Sequence, residues 1–461
     1  SGRTKRGKSE ASERPEGAML AFNVKSTAPV PLAKVLGPAV DQAKWTAGAS
    51  FVQELDAWRK KIGQLRFSTQ GPAQCRDGAL HYYKLVTHAE HHFRGSSLKE
   101  LKLLFRWHDT FNPKLSVAQP DWRFERAAVL FNIAASLSYL ATLQDRGDPE
   151  GMKLSCKYFQ EAAGAISEVR SVSREAAWVE YTPDMTNEFL QAIESLMLAQ
   201  AQKCFYEKAV ADGRPHALIA KLAAECAALY AEAWLKLSTP VLQESIAGEW
   251  LAIVDWNRQL FDGVQNFYAA SIHAAANEYG PQVSRLTHAV NKCAEAVNLC
   301  RKAAPELQAQ FKAAHAMARD AHAKAKHDND MVYFEKVPPL ATLPKLQRAA
   351  MVKPIKLPEL NVEPPEEQAP APPPPEPAPA EVAESGVATV TAGMGSVAMG
   401  GEGDALMPGP PPPPPSFDEA TSAGVDDLMA MGFGREAAQA ALEQAGGSVQ
   451  EASALLLQVP P

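Results

Sequence analysis

A mainly α-helical chain is expected, with one large helical domain, a Pro-rich linker and a small three-helix bundle at the end. Three observations predict it. From about residue 38 to residue 327, apolar side chains recur at three and four positions, Ala, Leu, Glu, Gln and Lys dominate, and breakers fall in short stretches. Most of the 36 prolines lie after Val337, where the hydrophobic period stops. Helical spacing then returns between residues 422 and 459. A chain of 461 residues exceeds one ordinary core, so several units follow: a disordered leader over 1–18, a helical domain over 19–358, a Pro/Gly/Ala-rich linker over 359–421 and the bundle over 422–459.

In chain order, residues 20–27 alternate roughly apolar and polar with β-formers, which predicts a minor strand. Helices are expected over 43–67, 79–93 and 98–111, before the breaks at Pro113 and Pro120. Longer ones follow over 122–143, 150–172, 183–211, 215–236, 244–278 and 281–327, the last broken near Ala304-Pro305, with Pro close to three of the starts. Long helices on short turns suggest a solenoid-like stack, in which each pair buries its face against the next. No strict repeat aligns, so the stack is irregular. Past Pro338 an extended basic-apolar segment runs to Pro358, and residues 363–379, acidic and rich in Pro and Ala, should extend as polyproline II. Residues 380–407 lack periodicity and precede an unbroken proline run. The final bundle reads as helices over 425–431, 435–445 and 448–458, with Gly432-Phe433-Gly434 as a turn, Gly446-Gly447 as a stop and a Ser448/Glu451 capping box.

Composition excludes several functions. A net charge of -7 and a pI near 5.9, with Lys and Arg spread among acids, do not provide the basic surface that nucleic acid requires, so a protein partner is expected. The six cysteines lie apart, without CxxC spacing, mostly in apolar helical segments, as buried thiols of a reducing compartment do. No run approaches the roughly 20 apolar residues that span a bilayer. The leader, with Arg3, Lys5, Arg6 and Lys8, is not a signal sequence, and Met19 is a candidate natural start. GxSxG, Walker and dinucleotide patterns are missing, and no enzyme activity, cofactor or metal is expected. His88, His91 and His92 form HAEHH, which is no standard zinc spacing, and read as a solvated helix end.

The segment Phe124-Glu125-Arg126-Ala127-Ala128-Val129-Leu130-Phe131-Asn132-Ile133-Ala134-Ala135 closely resembles the signature helix of the Bro domain family. Phe105-Arg106-Trp107-His108-Asp109-Thr110-Phe111, Ala199-Gln200-Ala201-Gln202-Lys203-Cys204-Phe205-Tyr206, and Asp328-Asn329-Asp330-Met331-Val332-Tyr333 with Val337-Pro338 occur in the family's order and spacing. The resemblance covers about residues 19–358 and implies a curved, tetratricopeptide-like helical domain with a small N-terminal β-sheet. The last segment looks like a ubiquitin-associated domain. Some family members continue into a V-shaped helical domain that grips tyrosine-containing peptides; nothing over 358–426 has a pattern that folds so, and no phosphatase signature or lipidation cysteine is present.

The resemblance implies that an apolar patch captures a C-terminal amphipathic helix of an ESCRT-III subunit, and Phe205, Leu218 and Leu222 match that patch. Leu218 and Leu222 are one turn apart and share a face, with Lys221 and Glu225 at its polar edge, an arrangement expected to leave both leucines partly exposed. Periodicity alone would place all three in the core. Tyr333 matches a family tyrosine and is either a phosphorylation or peptide-docking site or a packed aromatic. In the terminal bundle, Met431, Gly432, Phe433, Leu456 and Leu457 would form the ubiquitin-binding patch, weak by itself and useful through avidity, or simply its little core. Pro410, Pro411, Pro412, Pro413, Pro414 and Pro415 suit an SH3, WW or profilin-type reader, or serve as a spacer. The expected function is a cytoplasmic, non-enzymatic adaptor of multivesicular-body protein sorting, recruited peripherally to endosomal membranes through its partners. Alternatives are a signalling scaffold that brings a protease to endosomes and a ubiquitin shuttle to the proteasome.

Overall fold

In the computed structural model, residues 19–94, 98–362, 425, 435–445 and 452 are described. The chain divides into two compact units, residues 1–364 and 365–461. The first is mainly helical. It contains α1 (Leu32–Ala43), α2 (Gly48–Ile62), α3 (Phe67–His92), strands β1 (Phe105–His108) and β2 (Ser116–Gln119), α4 (Trp122–Thr142), α5 (Pro149–Ala176), α6 (Asn187–Ala211), α7 (His216–Leu237), the short α8 (Pro240–Ser245), α9 (Gly248–Ala275), α10 (Tyr279–Leu299) and α11 (Pro305–Asp328). Each long helix packs on the next in sequence, with α7 meeting α9 across α8, so the stack expected from the periodicity is present.

Four expectations are corrected. Residues 98–111 are not a helix: a turn ends at Lys102, whose φ is 54°, and β1 follows, paired antiparallel with β2 from Phe105 opposite Gln119 to His108 opposite Ser116. Phe105 and Trp107 alternate inward, the strand period in miniature. Residues 20–27 form no named strand and contribute one isolated bridge, Thr27 to Trp107. The first helix was not expected, since the helical pattern reads as beginning only near residue 38; Pro38 lies inside α1, where it forfeits one backbone bond, and buried Leu32, Leu36 and Val40 at four-residue spacing hold the helix against the core. Similarly, α3 begins twelve residues before the expected 79, kinked at Gly71, whose φ of 75° suits glycine alone, with Pro72 starting the second part.

Helix α4, the signature segment, is buried around most of its circumference, with an unbroken buried run from Ala127 to Ser138, so it forms the centre of the stack. Its N-cap, Asp121, accepts hydrogen bonds from the Arg123 backbone N–H at 2.9 Å, the Arg123 guanidinium and, at 2.9 Å, Trp178 Nε1. Burial alone would raise its pKa, but the bonds from Arg123 and Trp178 outweigh burial and hold the carboxyl below its usual 3.8. A depressed carboxylate stabilises the fold above its unfolded pKa, and that contribution is lost as pH falls through the lower folded value. Asp121→Ala should therefore lower stability by about 1 kcal/mol at pH 7. The difference in urea midpoint from wild type should shrink once the pH is taken below 3.8.

Several charged side chains buried in this core are paired. Glu125 receives Tyr82 Oη–H at 2.9 Å and Trp107 Nε1–H at 2.7 Å and pairs with Arg59 Nε at 2.7 Å, all three ion-pair and hydrogen-bond partners coming from other elements. Lys25 pairs with Asp184, which also accepts from Thr110 N–H at 2.7 Å. Burial, and then the neighbouring Asp184 carboxylate, push the Asp109 carboxyl up. All six cysteines are free and buried, and burial pushes the Cys204 and Cys293 thiols up to about 12, which keeps them as thiols.

In the second unit, α12 (Arg435–Gln444) buries Ala438, Ala441, Leu442 and Ala445, a helical stripe. The flanking helices expected at 425–431 and 448–458 lie almost entirely outside the described residues. Among the described residues no helix is long and apolar enough to cross a membrane.

Candidate functional site

Helices α6 and α7 carry the expected patch, and two extended segments cross the stack beside it. Each segment is held by side-chain amides projecting from buried helices. On one side, Gln200 of α6 donates to Leu20 C=O at 3.0 Å and accepts from Leu20 N–H, while Asn132 of α4 accepts from Lys25 N–H at 2.6 Å and donates to Lys25 C=O at 3.3 Å. Gln202 is two residues further along α6 and so on the opposite face. It donates to Ala349 C=O at 2.8 Å and accepts from Met351 N–H at 3.0 Å. Gln160 of α5 continues the ladder: its side-chain oxygen accepts from Lys353 N–H at 3.2 Å and its backbone carbonyl from Ile355 N–H at 3.0 Å. The strap over residues 344–362 thus lies across α7, α6 and α5 in turn, and Leu357 and Leu360 are buried at its far end.

Phe205 lies three residues after Gln202, on the strap side of α6, and is half-buried. Leu218 of α7 is half-buried as well. Leu222 is not partly exposed as expected: only 4% of its surface is accessible. The strap crosses α7 at the residues that flank it, where Lys221 C=O accepts from Ala349 N–H at 3.2 Å and Arg348 pairs with Glu225 at 3.5 Å. Glu225, expected at the solvated edge, is correspondingly buried. The accessible apolar surface is therefore Phe205 and Leu218, bordered by partly buried Leu346 and Met351 of the strap. Sequence reasoning missed Gln160, Gln202 and Arg348. Two glutamines in the otherwise apolar run Ala199-Gln200-Ala201-Gln202 were a signal, since a buried amide needs a partner.

Tyr333 lies at the end of a π-helical turn, Asn329–Tyr333, and stacks on Tyr279 with ring centroids 3.4 Å apart. It is partly exposed, and Met331, Val332 and Phe334 beside it are exposed too. Buried Asn329 fixes this turn by exchanging hydrogen bonds with the Glu335 backbone at 3.0 and 3.2 Å. Tyr333 is thus both packed and accessible. His92, at the end of α3, is exposed and stacks on Trp45 at 4.1 Å. Met431, Gly432, Phe433, Leu456 and Leu457, and the run from Pro410 to Pro415, lie outside the described residues.

A family model described as BRO1-like domain matches residues 19–374, and one described as UBA/TS-N domain matches residues 422–456. ALG-2 interacting protein X of Dictyostelium discoideum is 28% identical over 336 residues, 73% of this chain and 42% of the relative. Vacuolar-sorting protein BRO1 of Arabidopsis thaliana is 29% identical over 360 residues, 76% of this chain and again 42% of the relative. The chain thus spans less than half the length of these curated relatives. Among solved structures, a chain of an ALIX BRO1 CHMP4C complex superposes with a TM-score of 0.62 at 24% identity, covering 75% of this chain and 98% of that one, a likeness of fold.

Proposed function

Since the chain belongs to the family of BRO1-like domain proteins, we propose that it is a non-enzymatic adaptor of endosomal sorting, binding the C-terminal helix of an ESCRT-III subunit through its helical domain and ubiquitinated cargo through its UBA-like segment. The observation that carries this reading is the half-buried pair Phe205 and Leu218, left accessible between α6, α7 and the strap in a fold shared with a BRO1 domain whose structure was solved with CHMP4C. An amphipathic helix can lay an apolar stripe on such a surface. Lys221, on the same side of α7, can meet acids on the helix's polar face.

In the second unit, Met431, Gly432, Phe433 and Leu456 fall inside the UBA match and Leu457 directly follows it; they are proposed as the ubiquitin contact. The two weak sites would be joined by the intervening linker, so engagement of one raises the effective concentration at the other. The protein would then work in the cytoplasm and reach endosomes through its partners.

Calorimetry of the whole chain against C-terminal helices of ESCRT-III subunits tests the reading. Leu218→Asp should weaken binding by about 2–4 kcal/mol, the loss expected for a central apolar anchor. The substituted side chain is already part-exposed, so the thermal midpoint should hold. Wild-type protein that binds no such helix would remove the ESCRT-III function and leave the scaffold or shuttle readings.

A further inference from the structure

Below the first part of the strap lies a second feature, which shares Leu346 and Arg348 with the border of the patch but not Phe205 or Leu218. A cleft of about 790 Å³ opens between α7, α9, α10 and residues 340–348. That volume falls in the range of ligand pockets. One wall is apolar: Ala224, Ala228 and Ala231 of α7 face Leu340, Leu343 and Leu346.

The other wall is cationic, and its charges are unevenly matched. Arg285 of α10 is only 5% exposed, yet among the described residues no carboxylate lies within ion-pair distance of it. Its guanidinium donates to Asn266 Oδ1 at 2.9 Å, to Pro344 C=O at 2.6 Å and towards His273 Nε2 at 3.3 Å, which leaves two of its five N–H groups. Burial lowers its pKa, with no acid to oppose the shift. Lys345, on the rim, is exposed and likewise has no carboxylate partner among the described residues. Arg258 and Arg348 are matched, by Asp255 at 2.6 Å and Glu225 at 3.5 Å. The lining carboxylate Asp262 is engaged by His288 at 3.1 Å and Gln265 at 3.0 Å.

The cleft therefore holds two cations without a carboxylate partner, one of them buried, and one lining carboxylate, Asp262, whose oxygens are already taken by hydrogen bonds from His288 and Gln265. Leaving a buried charge unpaired is costly, so a site of this kind favours a ligand that brings the missing negative charge. We infer that the cleft is a second peptide-binding site, taking a short acidic segment whose carboxylates meet Arg285 and Lys345 while an apolar side chain lies on the alanine and leucine wall. The apolar wall and the two remaining Arg285 donors suit one carboxylate beside an aliphatic group better than a phosphate cluster, which needs converging donors.

The test is fluorescence anisotropy of the full chain with a labelled peptide alternating Glu and Leu, beside a counterpart alternating Lys and Leu. The acidic peptide should bind, the basic one should not, and added salt should weaken binding. Lys345→Glu and Ala228→Phe, which fills the cleft, should each weaken binding at least about tenfold. Leu218→Asp, on the patch, should leave it unchanged. Lys345→Glu alters an exposed side chain, so it carries the result if Ala228→Phe lowers the thermal midpoint. Equal binding of both peptides, no binding of either, insensitivity to Lys345→Glu, or loss with Leu218→Asp would each overturn the assignment. So would binding of inositol hexakisphosphate in place of the peptide, with the same dependence on Lys345.

Discussion

Glu125→Ala is expected to destabilise the protein by about 3–5 kcal/mol, because it leaves the Arg59 guanidinium buried without its counter-charge. Arg59 and Glu125 are both buried, at 2.7 Å, and the same carboxylate accepts from Tyr82 and Trp107. One side chain on α4 thereby ties down α2, α3 and β1, and Arg59 also stacks over the Trp107 ring at 5.2 Å and donates to Thr27 Oγ1. Removing the acid deprives three donors at once, whereas removing both charges should be far milder. In urea titrations followed by circular dichroism, Glu125→Ala should shift the midpoint sharply. Arg59→Met/Glu125→Leu should recover most of that loss, since an apolar pair of similar volume can replace a buried ion pair. A double variant as unstable as the single one would show that the network, rather than the isolated charge, carries the stability.

This network also shows how the sequence was and was not readable. The segment from Phe124 to Ala135 could be recognised as the family's central helix, and its apolar spacing placed α4 to within a residue at either end. What Glu125 and Asn132 do there was not visible, because their partners Arg59 and Lys25 are distant in sequence and carry no periodic mark. The long helices α5, α6, α7 and α9 were legible because a buried stripe repeats several times along each. The strands β1 and β2 were not, since four residues offer only two inward positions, and the apolar residues from Leu98 to Leu104 just before β1 imitate a helix.

The patch was legible in part for a similar reason. Periodicity could place Leu218 and Leu222 on one face of α7, but a face has two edges, and which is covered depends on a segment arriving from far along the chain. Gln202 and Ala349, which bring the strap there, are 147 residues apart. The strap was correctly expected to be extended. Its docking was not expected, because partly buried Leu346, Met351 and Ile355 follow neither a helical nor a strand period.

Gly164→Val tests how far the strap shapes the site. A Cβ at Gly164 would stand 1.9 Å from Ile355 O and 2.5 Å from Ile355 C, both backbone atoms that cannot turn aside. The strap must lift, breaking the bonds from Lys353 and Ile355 to Gln160 and withdrawing Leu357 and Leu360 from the core. Overpacking of this kind costs about 1–3 kcal/mol, and peeling away the strap end limits the cost to what those contacts contribute. The expected outcome is a modest loss of global stability with a local effect far larger: trypsin cleavage after exposed Lys356 should accelerate at least about tenfold, and hydrogen exchange at Met351, Lys353 and Ile355 should lose protection. The same variant separates two accounts of helix binding. If Arg348, Leu346 and Met351 complete the patch, Gly164→Val weakens binding of an ESCRT-III helix although Phe205 and Leu218 are intact; if α6 and α7 suffice, the affinity survives while the strap is free, and the buried state of Leu222 is then a matter of stability alone.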